Sequence, residues 1–111
     1  GAFHSSLMWE AAMEFKKTLD KTPFDAPKIP IVSNIDARPK YKVAQIMDGL
    51  VQQIFKPVLW EDSMRFMLSE GVTKFFEFGP GKVLKGLMRR INADVQVINI
   101  ERKEDILNLA K

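Results

Sequence analysis

Val72-Thr73-Lys74-Phe75-Phe76-Glu77-Phe78-Gly79-Pro80-Gly81-Lys82-Val83-Leu84-Lys85-Gly86-Leu87-Met88-Arg89-Arg90-Ile91 is the stretch from which the fold is read. Thr73 to Phe78 is dense in aromatic and β-branched side chains and too short for an average helix, so it reads as a buried strand. Gly79, Pro80 and Gly81 break it. Val83, Leu84, Leu87, Met88 and Ile91 then recur at helical spacing, so strand, sharp turn and helix make an α/β unit. Such a turn sets backbone N–H groups near the carboxyl end of a strand, where open α/β sheets bind ligands. It reads as an anion or thioester contact, or as a tight turn needed only for packing. The phosphate-loop pattern is absent, because Lys82 has no following Ser or Thr to hold magnesium.

Outward from this unit the same alternation continues. Trp60, Met64, Met67 and Leu68 lie at helical spacing before it, and Gly71 is placed to end that helix. After it, Val95 to Ile100 reads as a strand and Glu101 to Leu109 as a helix led by acidic residues. Farther back, Ile29 to Ser33 is a short strand, Asn34 to Pro39 a polar loop, and residues 40 to 55 a helix that Pro57 ends. Gly49 inside that helix either permits a close contact or marks local tolerance. At the start, Gly1 to Ser6 is a loop leading into a helix with Leu7, Met8, Ala11, Ala12, Phe15 and Leu19 on one side. Ser5 or Ser6 caps it and Glu10 sits in its first turn, while Thr22 to Pro27 is a linker. The expectation is an α/β fold of about three mostly parallel strands with flanking helices, whose sheet continues in sequence beyond these residues.

The 111 residues suffice for one domain or a piece of one. Seventeen basic against fourteen acidic residues give only +3, with no clustered arginine stripe, so nucleic acid is not expected as a partner. The absence of cysteine excludes disulfides, thiolate nucleophiles and cysteine-ligated metals. A single histidine cannot build a multi-histidine metal site. No apolar run is long enough to span a membrane, and no secretory signal opens the chain. A beginning of Gly-Ala-Phe-His without an initiator methionine points to a processed, tagged or cleaved chain.

His4 is the first candidate for chemistry, as the only side chain that ordinarily titrates near neutral pH. A histidine four residues from a chain end is, however, more often exposed than catalytic. None of the serines at positions 5, 6, 33, 63 and 69 lies in a Gly-x-Ser-x-Gly elbow, so the chain holds a base without a nucleophile. Glu77, inside an apolar strand, needs partners, either the start of a neighbouring helix or a basic residue. Gln53 reads as a surface residue on the polar flank of its helix, and Asn34 as a ligand contact or an Asx-turn. Trp60, Phe66, Phe75, Phe76 and Phe78 read as core.

Taken together, Gly1-Ala2-Phe3-His4-Ser5-Ser6-Leu7-Met8, Pro30-Ile31-Val32-Ser33-Asn34-Ile35-Asp36-Ala37, Gln53 with Pro57-Val58-Leu59-Trp60, and Gly71-Val72 to Glu77-Phe78-Gly79-Pro80-Gly81-Lys82-Val83-Leu84 follow a known order. The chain resembles the carboxy-terminal third of the malonyl-CoA:acyl carrier protein transacylases. The resemblance implies part of an α/β-hydrolase-like large subdomain spanning residues 1–111 as a single fragment. The family's serine elbow, its upstream arginine and glutamine loop and its ferredoxin-like subdomain have no counterpart here. It also implies that His4 is the catalytic base and that the backbone carbonyl of Gln53 orients it. Asn34 and Ser5 become substrate-cleft candidates, and Gly79, Pro80 and Gly81 the strand-to-helix turn and cleft wall.

Two departures from the family pattern are visible: Ala2 where proline is common, and Leu59 in place of an arginine before Trp60. The implied substrate is malonyl-CoA, with no cofactor. The implied partners are acyl carrier protein and the serine-bearing amino-terminal part of the same enzyme, with neither nucleic acid nor membrane, in the cytoplasm or an organelle. A domain of a polyketide or multidomain fatty acid synthase is the alternative parent. A catalytically silent folded subdomain is the alternative for this chain alone.

Overall fold

In the computed structural model, residues 6–109 are described. They form an α/β fold in two compact units, one reaching to Phe66 and the other starting at Met67. In chain order the elements are α1 (Ser6–Asp20), β1 (Ile31–Ser33), β2 (Arg38–Lys40), α2 (Val43–Gln52), α3 (Trp60–Ser69), β3 (Lys74–Phe78), α4 (Val83–Ile91), β4 (Gln96–Ile100) and α5 (Lys103–Leu109). No helix among them is long and apolar enough to cross a membrane. Among the described residues no three His, Asp or Glu side chains are grouped to hold a metal ion.

The first unit is built on α1 packed against α2. Ala12, Leu19 and Val51 are its buried centre, with Met13, Phe15, Met47, Ile54 and Phe55 packed around them. Trp9 closes one end with its ring 5.7 Å from that of Phe55, a tilted aromatic pair. Because the helix begins at Ser6, Glu10 falls beyond the first turn, where it was expected to complement the helix dipole. Gly49 serves a close approach: a methyl group there would meet Ser33 Oγ at 3.3 Å and Ile35 Cδ1 at 3.6 Å. The missing side chain lets β1 lie against α2.

The sheet differs from expectation. Among the described residues four strands form rather than three, in two separate pairs. The end of the expected polar loop and the first residue of the expected helix form β2, which pairs antiparallel with β1 through Ile31↔Lys40, Val32↔Pro39 and Ser33↔Arg38. The reversal is made by Ala37, whose backbone is left-handed at φ 57, and by Asp36, whose carboxylate accepts the Arg38 N–H at 3.0 Å. Pro39 is tolerated because an edge strand need not donate at every position.

The second unit carries the strand, turn and helix of residues 74–91. Strands β3 and β4 are parallel, in register from Lys74↔Gln96 to Phe78↔Ile100, and α4 is the crossover between them. At the end of α3, Gly71 N–H bonds the Leu68 carbonyl and Val72 N–H bonds that of Met67, with Gly71 at φ 92. That is a Schellman stop, as the position of the glycine predicted. The strand β3 is not buried on both faces. Glu77 is buried and Phe75 half-buried, whereas Phe76 and Phe78, expected as core, are 42% and 72% exposed. Alternation puts these two on one face, which nothing among the described residues covers fully.

Candidate functional site

The turn after β3 is held from within. Glu77 points toward the start of α4, where its carboxylate accepts the Leu84 N–H at 3.1 Å and the Lys85 N–H at 3.0 Å. Both belong to the first turn, whose N–H groups have no partner inside the helix. Asn99, opposite Glu77 in the register, donates from Nδ2 to the same carboxylate at 2.8 Å. Its Oδ1 stays buried without a hydrogen-bond partner among the described residues. Gly79 N–H bonds the Ile100 carbonyl at 3.0 Å and Gly81 N–H the Glu101 carboxylate at 2.7 Å. The glycines have φ of 118 and 88, which a side chain would strain.

These contacts bear on both readings of the turn. Two N–H groups of the α4 terminus and the N–H of Gly81 are already satisfied by the protein's own carboxylates, which would repel an incoming anion. The expectation that Glu77 accepts hydrogen bonds from a neighbouring helix start holds.

The first unit brings together Asn34 and Gln53. Both line a cavity of about 220 Å³, together with Ser33, Lys40, Gly49 and Leu50 among others. The Asn34 carbonyl accepts the Leu59 N–H at 2.7 Å, and Asn34 Oδ1 lies 3.3 Å from Ser63 Oγ. Ser63, only 1% exposed, donates to the Leu59 carbonyl at 2.7 Å. Asn34 thus braces the β1–β2 turn against the start of α3, and the Asx-turn belongs instead to Asp36. On the cavity's rim Lys40 Nζ approaches Asp36 Oδ2 to 2.5 Å. Partial burial pushes the Asp36 carboxyl up, but the hydrogen bonds from Lys40 and the Arg38 N–H, with both positive charges, outweigh it and hold the group below its usual range.

Gln53 is the C-cap of α2, at φ −62 and ψ −23. Its Nε2 donates to the carbonyls of Lys56 and Pro57 at 3.1 and 3.3 Å. The side chain thereby folds onto the turn that follows, half-buried rather than on an open polar flank. Its own carbonyl lies at the negative end of the helix dipole. His4 and Ser5 lie outside the described residues.

Ser63, Asn99 and Glu101 escaped the sequence reading as supports of the site. For Asn99 the signal was present, a polar residue inside Val97-Ile98-Asn99-Ile100 facing a second polar residue inside an apolar strand. Ser63 carried none, since a serine in an amphipathic helix is unremarkable until its neighbours are known.

No family model matches the chain. It is 39% identical over 106 residues to the malonyl CoA-acyl carrier protein transacylase of Bacillus subtilis, covering 96% of this chain and 33% of that protein. It is 46% identical over 96 residues to a polyketide biosynthesis malonyl CoA-acyl carrier protein transacylase of Bacillus velezensis, covering 86% of this chain and 33% of that one. Among solved structures, the acyl-carrier-protein-S-malonyltransferase of Bartonella henselae superposes with a TM-score of 0.86 at 36% identity, over 96% of this chain and 34% of that chain. The chain spans about one third of the length of the curated relatives it matches.

Proposed function

We propose a base-bearing role in acyl transfer for this chain, which belongs to the malonyl-CoA:acyl carrier protein transacylase family as a segment matching about one third of its members' length. The whole enzyme moves a malonyl group from malonyl-CoA to the phosphopantetheine thiol of acyl carrier protein, in fatty acid biosynthesis in the cytoplasm. Residues 1–111 are the carboxy-terminal part of its α/β-hydrolase-like large subdomain. The serine elbow and the ferredoxin-like subdomain lie in the remainder. The exposed Phe76 and Phe78 support this, because parallel strands are normally covered on both faces.

His4 is the base. It takes the proton of the nucleophilic serine as the hydroxyl attacks the malonyl thioester, then gives that proton to the departing coenzyme A thiolate. It next takes the proton of the carrier thiol, whose sulfur attacks the acyl-serine, and returns it to the serine oxygen. One observation carries the assignment of its orienting partner. The Gln53 side-chain amide is spent on Lys56 and Pro57, and the group it presents at the negative end of α2 is its backbone carbonyl. Such an acceptor fixes the ring tautomer and stabilises the imidazolium, as a carboxylate does in other triads.

The test is acyl-serine formation by rapid quench in the full-length enzyme. His4→Ala is expected to slow it by roughly a thousandfold or more, as loss of a triad member does. Gln53→Ala keeps the backbone carbonyl and is expected to cost about tenfold at most. Equal large losses would refute the backbone role. The 111-residue chain alone is expected to transfer no malonyl group. A polyketide-pathway parent is the second reading, favoured by the identity to the Bacillus velezensis protein. Competition between carrier proteins of the two pathways would separate them.

A further inference from the structure

We propose that Pro57 is a positioning residue, which acts by withholding a hydrogen-bond donor from the Gln53 carbonyl so that this oxygen is kept for the His4 ring. The inference rests on the assignment of His4 and Gln53 above and adds a residue to it.

At the end of α2 the backbone N–H of Gln53 still bonds the Gly49 carbonyl at 3.0 Å, so Gln53 is wound as helix. Its own carbonyl would accept from the N–H four residues on, or from the one three residues on in a tightened last turn. Both are closed. The Lys56 N–H is 3.0 Å from the Gln52 carbonyl, which it bonds, and residue 57 is a proline with no N–H to give. Leu59, the next residue but one, donates its N–H to Asn34 at 2.7 Å. The Gln53 side chain ties down the two carbonyls of the turn, those of Lys56 and Pro57.

A proline after a helix usually only stops it. Here it also decides which oxygen is left without a local donor. A residue with an N–H at position 57 could continue the helix by one bond, and the carbonyl meant for the imidazole would be shared with the backbone.

The variants are Pro57→Ala, which restores the N–H, and N-methylalanine at position 57 installed by chemical ligation, which lacks it as proline does. Both are placed in the full-length enzyme. Pro57→Ala is expected to slow acyl-serine formation about tenfold with the KM for malonyl-CoA and the melting temperature unchanged or the latter raised. The N-methylalanine variant is expected to restore the rate. The ring ¹⁵N shifts of His4 should show one tautomer in wild type and in the N-methylalanine variant, and a mixture in Pro57→Ala. An unchanged acylation rate in Pro57→Ala, or an N-methylalanine variant as slow as it, would overturn the proposal. A fixed tautomer that responds to position 57 in an enzyme without malonyl transfer would support the positioning role while defeating the reading of the activity. A tautomer indifferent to position 57 would defeat the positioning role alone.

Discussion

The turn after β3 and the turn after α2 both sit at helix termini, and both begin with backbone groups that lack partners inside the helix. At the start of α4 the protein closes the terminus itself: Glu77 takes two N–H groups, Glu101 takes that of Gly81, and Asn99 braces Glu77. At the end of α2 the opposite happens. Lys56 is spent on Gln52, Pro57 offers no N–H, and the Gln53 amide is turned away onto the turn. In the richer motif, Gly79-Pro80-Gly81, both glycine N–H groups are taken by the protein itself, and the plainer Gln53 to Pro57 carries the proposed orienting carbonyl. Glycine content shows that a backbone bends; only the partners of its N–H and C=O groups show whether the bend is available to a ligand.

The strongest test of this contrast is Glu77→Ala. Its removal leaves the Leu84 and Lys85 N–H groups and the Asn99 amide without their acceptor in a half-closed interior, and is expected to cost about 2–4 kcal/mol. Chemical denaturation measures it. A loss near zero would mean that water or another group replaces the carboxylate, and that the α4 terminus is open after all. Gly81→Ala comes next, at about 1–2 kcal/mol, because its φ of 88 forces a β-carbon into the left-handed region. The same denaturation measures it.

The smallest effect concerns the hairpin that walls the cavity beside Gln53. The carboxyl of Asp36 is held below its usual range in the folded chain, so it adds stability at pH values above the ordinary carboxylate pKa. That contribution is lost as pH falls through the lowered folded value. Asp36→Asn is therefore expected to flatten the acid limb of the stability curve slightly and to leave neutral stability little changed, since the Lys40 pair is partly solvated.

Much of this was legible in the residues. The strand, turn and helix from Lys74 to Ile91 were found nearly to the residue, because aromatic density, Gly-Pro-Gly and a 3.6-residue period all agree there. The helix start was one of the two partners expected for Glu77 from the cost of burying a lone charge, and Asn99 was not among them. The strand β2 was not legible, since Arg38-Pro39-Lys40 has no β-forming residue and the reversal hangs on Ala37, which signals no turn. The exposure of Phe76 and Phe78 was hidden for a different reason. An apolar side chain states that it wants cover, and the cover need not come from the same stretch of chain. Gln53 and the role of its backbone carbonyl came from its place among the motifs of the resemblance, and what the residues did not announce is that its side-chain amide bonds the carbonyls of Lys56 and Pro57.

Pro39 has a further consequence for handling this polypeptide in solution. By deleting a donor from β2 and standing between Arg38 and Lys40, it makes that edge a poor template for another strand. The strand β3 has less protection, with Lys74 as its only charged residue on the face that displays Phe76 and Phe78. When the segment is produced alone, self-association should nucleate on β3, and solubility should improve most from a charge placed at Phe78.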